Sequence, residues 1–257
     1  MRNEIILGID IGGTKIKGVA LDANNKKAAD FEIKTPKNKK TFLTALEKEI
    51  IEILSYHKIS GIGVGLPGLI DMKKGRLIKA PNLPYLNGWP AKNFFAKFCQ
   101  NIKIDNDSRC FLLAESKLGA GRKYKNIVGM AIGTGIGGAI MINGEVQYGA
   151  NFDAGEVGHM VIDKGKTLEF LGAKKAFLRY GDRSRIIGIG TANLINILNP
   201  QAVILGGGGV ATGAINIGTV KKIAQKYIMS PLAKKTPILK AQLGKEAQAI
   251  GAVLLFR

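Results

Sequence analysis

The sequence predicts an α/β protein built from a repeated β-β-β-α-β-α unit, on three observations. Two glycine-rich turns, Asp10-Ile11-Gly12-Gly13-Thr14-Lys15 and Gly133-Thr134-Gly135-Ile136-Gly137-Gly138, each sit between strand-like apolar runs. Strand-like and helix-like periodicities alternate along the chain. At 257 residues, 46% of them hydrophobic, the chain exceeds one small core and suits two lobes or one large α/β unit.

The first turn follows the apolar run Ile5 to Ile9 and precedes Ile16, Val19, Ala20 and Leu21, so it reads as the tip of a β-hairpin. A third strand is expected near Ala28 to Lys34. Phe42, Leu43, Leu46, Ile50, Ile53 and Leu54 then recur at helical spacing. The run Gly61 to Gly65 reads as a strand ending in a Leu66-Pro67-Gly68 turn. Ile102-Lys103-Ile104 reads as a strand ending in Asp105-Asn106-Asp107, with a helix from about Ser108 to Leu118.

A second copy opens at Ile127, where Ile127 to Ile132 leads into the Gly133 turn and Ala139 to Ile142 leads out of it. Helices are expected near 167–181 and 185–198, then a strand Ala202 to Leu205, the four glycines Gly206 to Gly209, another helical stretch and a terminal helix over Ala247 to Leu255. The expected domains are an N-terminal lobe over 1–107, completed by a C-terminal helix 245–257, and a C-terminal lobe over 108–244, with a cleft between the lobes.

Glycine at both hairpin tips permits positive φ and lets backbone N–H groups approach an anion. A hairpin tip needs glycine anyway. The repetition of the device, with Asp10, Thr14, Lys15 and Thr134 beside it, points to a polyphosphate held by two tips. The Gly206–Gly209 loop at a strand's carboxyl end would let backbone approach a flat ring such as adenine; the bland reading is a flexible turn.

Composition narrows the partners. The formal net charge is +19, but the excess is spread over both halves, and its densest patches (Lys34 to Lys40, Arg122 to Lys125, Lys234-Lys235) lack a series of base-stacking aromatics. No nucleic-acid partner is therefore expected, while a basic surface would suit an acidic substrate or a long anionic phosphoryl donor. The N-terminal residues lack the apolar core of a targeting signal, and no run is long enough to span a bilayer, so a cytoplasmic protein without membrane partners is expected. Cys99 and Cys110 have neither CxxC spacing nor a neighbouring histidine and read as inert core thiols of a reducing compartment.

The ordered set Asp10 to Lys15, Gly65 to Gly68, Pro81-Asn82-Leu83, Asn106-Asp107, Gly133 to Gly138, Gly155-Glu156-Val157-Gly158-His159 and Gly206-Gly207-Gly208 resembles the ROK family of sugar kinases and repressors over nearly the whole chain. The resemblance implies the actin-like ATPase (ribonuclease H-like) fold, and ATP with Mg²⁺ as cofactors. It implies a small-molecule sugar as substrate, and a homodimer.

Phosphoryl transfer to a hydroxyl needs alignment, charge neutralisation and one proton acceptor. On the resemblance Asp107 is that acceptor; the residue-level alternative is that it caps the helix after it. Asp10 is expected to organise Mg²⁺, directly or through water. Gly12, Gly13, Thr14, Lys15, Gly133, Thr134, Gly135, Gly137, Gly138, Gly207 and Gly208 are expected to bind the nucleotide. Lys15 has the alternative of being a solvated hairpin charge. Gly68, Asn82, Asn106, Glu156, His159 and Glu169, with Asp107, are expected to bind the sugar, since hydroxyls demand directional acceptors and donors.

Two departures from the family pattern stand out. Many members carry a cysteine-rich zinc loop after the histidine, whereas Met160 to Glu169 here holds no cysteine, so no structural zinc is expected. Arg109 follows Asp107 closely and is expected to hold its pKa down. The leading reading is an ATP- and Mg²⁺-dependent hexokinase of glucokinase type. The alternatives are a polyphosphate-dependent glucokinase and a non-catalytic sugar-responsive repressor. The repressor is disfavoured because the chain opens directly on the first strand.

Overall fold

The computed structural model describes residues 4–176 and 183–257. The chain divides into two compact units, residues 1–111 with 246–257 and residues 112–245.

Unit 1 opens with three antiparallel strands, β1 (Glu4–Ile11), β2 (Lys15–Leu21) and β3 (Lys27–Lys34), followed by helix α1 (Lys39–Tyr56) and strand β4 (Lys58–Leu66). A small hairpin, β5 (Leu69–Asp71) and β6 (Arg76–Lys79), and the short helix α2 (Ala91–Phe95) lead to β7 (Ile102–Asn106) and helix α3 (Asp107–Leu118). The sheet order is β3-β2-β1-β4-β7, with β4 parallel to both β1 and β7.

Position in the sheet explains the composition of each strand. β1 and β4 are central and covered on both faces, so they run nearly continuously apolar. The edge strand β3 buries fully only Phe31. One face packs Leu7, Ile9, Ile62 and Val64 against Phe42, Leu46 and Ile50 of α1 and an aromatic group around Trp89. Asn38 starts α1, its side-chain oxygen accepting from the Thr41 N–H at 3.0 Å.

The last helix of the chain, α8 (Ala247–Leu254), covers the opposite face of this sheet. Its approach requires bare backbone below it: a β-carbon on Gly63 would stand 1.9 Å from the Ala252 carbonyl oxygen, and one on Gly8 2.0 Å from that of Ala249.

Unit 2 repeats the pattern. Its sheet runs β10-β9-β8-β13-β14, with antiparallel β8 (Ile127–Ile132), β9 (Ile136–Ile142) and β10 (Glu145–Val146) and parallel β13 (Ala202–Gly206) and β14 (Ile238–Lys240). A two-stranded piece, β11 (Val161–Asp163) and β12 (Lys166–Thr167), precedes helix α4 (Leu168–Gly172). Helices α5 (Arg183–Leu198), α6 (Gly208–Ala211) and α7 (Ile217–Tyr227) complete the unit. Its core joins Val128, Met130, Val203 and Leu205 to Ile187, Leu194, Ile195 and Val220.

The helix expected over 167–181 is shorter than its apolar pattern suggests. α4 ends at Gly172, a single 3₁₀ turn covers Lys174–Ala176, and the remainder of that expectation lies outside the described residues. Of the two thiols, only Cys110 is in the core; Cys99 is half-buried at its margin, which corrects the expectation of two core thiols. Among the described residues no helix is long and apolar enough to cross a membrane.

Candidate active site

In unit 1 the polar residues gather at the carboxyl ends of neighbouring strands, where open α/β sheets bind ligands. Asp10 lies opposite Gly65 in the β1–β4 ladder, and Gly65 lies opposite Asp105 in the β4–β7 ladder. A β-carbon on Gly65 would stand 3.5 Å from the Asp107 Cα, so the strand end between the two carboxylates carries no side chain. Asp10 is 7% exposed. Burial first, and the negative charge of Asp107 second, push its carboxyl up to about 7, against a smaller opposing pull from Lys17.

The helix after Asp107 is capped by its predecessor. The Asn106 side-chain oxygen accepts from the Ser108 N–H at 2.9 Å, so Asn106 caps the start of this helix. The Asp107 carboxylate instead accepts from the Ser108 hydroxyl at 3.1 Å and is half-buried. The Asn106 amide also donates to the Gly68 carbonyl at 3.4 Å, so both ends of a side chain expected to touch sugar have internal partners.

Arg109, read from the sequence as a neighbour of Asp107, is ion-paired with Asp105. Its Nε donates to Asp105 at 2.5 Å, and both side chains are buried, 5% and 3% exposed. The i to i+4 spacing on the strand–helix junction brings Arg109 back onto Asp105, which the sequence reading passed over.

The first glycine tip is tightly tied. The Gly12 N–H donates to the Lys15 carbonyl at 3.0 Å, and Thr35, unnoticed in the sequence, donates its N–H to the Thr14 carbonyl and its hydroxyl to that of Gly12. Lys15 is ion-paired with Glu32 on the neighbouring strand. Asn82 is exposed beside the tip, its Cβ 2.9 Å from where a β-carbon on Gly13 would stand. Gly68 takes φ +83° where a β-carbon would meet the Lys79 carbonyl at 2.2 Å, so only glycine fits that turn.

In unit 2 the second tip spans Gly133 to Gly135, closed by the Gly133 N–H donating to the Gly135 carbonyl at 2.8 Å. Thr134 is exposed at the tip, and Gly137 and Gly138 lie inside β9. Glu169, on the first turn of α4, accepts from the Ile136 N–H at 2.7 Å. Glu156 precedes a 3₁₀ turn, Val157–His159, and both it and His159 are exposed. Gly207, at φ +84°, leads from β13 into α6, and Gly208 is exposed.

Among the described residues no group of three or more His, Cys, Asp and Glu side chains is placed to hold a metal ion. Asp10 is nevertheless suited to a hard divalent cation. A buried carboxylate facing a second negative charge gains from one, and Mg²⁺ typically binds through one or two carboxylates plus substrate phosphates and water.

The chain matches the model of the ROK family over residues 6–174 and 167–257. It is 25% identical to the glucokinase of Thermotoga maritima, covering 98% of this chain and 97% of that protein. It is 27% identical to the N-acetyl-D-glucosamine kinase of Pectobacterium atrosepticum, covering 96% and 97%. The crystal structure of a ROK family glucokinase from Streptomyces griseus, in complex with glucose and AMPPNP, superposes with a TM-score of 0.87 at 23% identity, over 98% of each chain. The duplicated sheets are therefore those of the actin-like ATPase fold, and the chain belongs to the ROK family, beside relatives that are sugar kinases.

Proposed function

We propose that this ROK family sugar kinase transfers the γ-phosphoryl group of ATP to a hydroxyl of a glucose-like hexose, with Asp107 as the proton acceptor. The observation that carries the reading is the pair of carboxylates, Asp10 and Asp107, flanking the bare end of β4. One is buried and faces a second negative charge; the other stands at the start of the helix whose Ser108 N–H is held by Asn106, its carboxylate accepting from the Ser108 hydroxyl.

Each has a distinct task. Asp107 orients the sugar hydroxyl and takes its proton as the oxygen attacks phosphorus; because the transition state is loose, orientation counts for more than basicity. Asp10 would hold Mg²⁺, which when bound neutralises charge on the donor phosphates. Thr14 and the Gly12–Gly13 backbone on unit 1, and Thr134 with Gly133 and Gly135 on unit 2, are the phosphate contacts. Lys15 is a weaker assignment than the sequence suggested, because Glu32 already neutralises it. Gly207 and Gly208 support the nucleotide base. Asn82, Glu156, His159 and Glu169 are the sugar contacts, with Gly68 and Asn106 shaping that side.

A panel of hexoses, including glucose, mannose and N-acetylglucosamine, assayed with Mg-ATP and with inorganic polyphosphate tests the reading in one experiment. ATP-dependent phosphorylation of one hexose is expected; transfer from polyphosphate alone would replace the donor, and no transfer from either would overturn the reading. Unit 2 also exposes Ile197, Met229 and Leu232, 72%, 84% and 77% accessible, where the ends of α5 and α7 are joined by Asn196. This apolar patch supports a homodimer, which sedimentation velocity would detect. The two unpaired thiols support a cytoplasmic location.

A further inference from the structure

Glu169 joins two features of unit 2. One carboxylate oxygen, Oε2, accepts from the Ile136 N–H at 2.7 Å, at the exit of the second glycine tip. The same oxygen lies 2.4 Å from where a β-carbon on Gly135 would stand, so the carboxylate sits directly against the tip. On its other side the Glu169 Cβ is 3.4 Å from a β-carbon built on Gly158, the middle of the 3₁₀ turn that links Glu156 to His159. That turn is itself pressed onto the tip, since the Gly158 position stands 2.1 Å from the Ile136 carbonyl oxygen.

A carboxylate placed against a turn that receives phosphate has two opposed effects. It fixes the turn through Ile136, and it repels the incoming anion. A carboxylate has room for further donors at its second oxygen. A hydroxyl donated there would disperse its charge and lock its orientation, which strengthens the first effect and weakens the second.

We propose that Glu169 is a positioning residue that couples the acceptor to the donor: a sugar hydroxyl donates to Oε1 while Oε2 keeps the Ile136 N–H, and the Gly133–Gly135 tip thereby becomes a better phosphate receiver. The inference rests on the reading of that turn as the donor's phosphate site. Coupling of this kind is reciprocal, so nucleotide must tighten sugar by the same factor that sugar tightens nucleotide.

The test begins with phosphorylation of glucose or N-acetylglucosamine by the wild-type enzyme and Mg-ATP. Failure with every hexose would remove the proposed function, and the coupling with it. Titration calorimetry of Mg-AMPPNP with and without the saturating preferred sugar then measures the coupling. In the wild type the sugar should tighten the nucleotide by about fivefold or more. Glu169→Ala should bring that ratio to within about twofold of unity, and Glu169→Gln, whose amide oxygen still accepts from Ile136, should fall between. A merely structural brace would lower nucleotide affinity equally in both conditions; a ratio unchanged in Glu169→Ala overturns the proposal. A second readout needs no variant: sugar without nucleotide should slow amide hydrogen exchange at Ile136 in the wild type, and an unaltered rate there would overturn it equally.

Discussion

At the residue scale, the two aspartates differ by environment rather than by kind. Asp107→Asn keeps the volume and the contact with Ser108 but removes the proton acceptor, so kcat should fall by roughly 10²–10⁴-fold while the melting temperature stays close to that of the wild type. Turnover near the wild-type rate would reassign Asp107. For Asp10 the consequence is a pH dependence of stability. Folded, it keeps its proton up to about pH 7; unfolded, it would lose it near pH 3.9. The native state thus binds the extra proton between these values, and its stability declines as pH rises from about 4 to about 7 and stays low above that. In EDTA, Asp10→Asn should therefore melt roughly 3–8 °C above the wild type at pH 8 and nearly level with it at pH 4. An equal difference at both pH values would show that Asp10 is not destabilised by its charge. The sequence pointed to Asp10 through the glycine-rich turn it opens and to Asp107 through the strand-to-helix junction and the family resemblance. It could not show Arg109 turning back onto Asp105 or Asn106 capping the helix, because neighbours one and two residues apart compete for the same positions and only the backbone path decides between them.

At the element scale, strands and helices with a sustained apolar period were legible: α1 from its Phe42-Leu46-Ile50-Ile53 stripe, β1 and β4 from near-continuous apolar runs. The small hairpin β5–β6 and the β11–β12 pair were not, since strands of two to four residues carry too few side chains to show a period. Nor was the use of glycine within β1 and β4 legible, because the residues of α8 that require it, Ala249 for Gly8 and Ala252 for Gly63, lie far along the chain. Gly63→Ala drives a methyl into the Ala252 carbonyl, and backbone cannot rotate aside as a side chain can. It should cost about 2–4 kcal/mol, read as a lowered urea midpoint with an unchanged slope. Gly144→Ala, where a β-carbon meets nothing within 4 Å, tests the strain of positive φ without crowding and should cost only about 1 kcal/mol. Equal losses at the two sites would show that crowding by α8 is not what holds Gly63. Glu115 makes a related case in unit 2. It is fully buried and accepts from the N–H groups of Ala120, Gln242 and Leu243, fastening the segments by which the chain enters and leaves that unit. Truncation to alanine would leave these three partly buried donors without their acceptor, at a cost of roughly 2–4 kcal/mol.

At the scale of the whole molecule, the net charge of +19 separates the two substrates by their own charge. A hexose is neutral and its encounter with the protein is indifferent to the field. Mg-ATP is an anion, and both halves of the chain carry excess lysine, so its approach is accelerated wherever the field is unscreened. Raising salt from about 20 mM to about 200 mM shortens the screening length from roughly 20 Å to roughly 7 Å. The kcat/KM for Mg-ATP should then fall by about three- to tenfold, with kcat nearly constant because bound donor is held by short-range contacts. The kcat/KM for the sugar, measured at saturating Mg-ATP, should move by less than about twofold over the same range. A parallel fall for both substrates would mean that salt perturbs the fold or the chemistry rather than the encounter. A flat response for both would mean that the lysine excess is dispersed too evenly to steer anything, leaving the donor to be selected by the glycine tips alone.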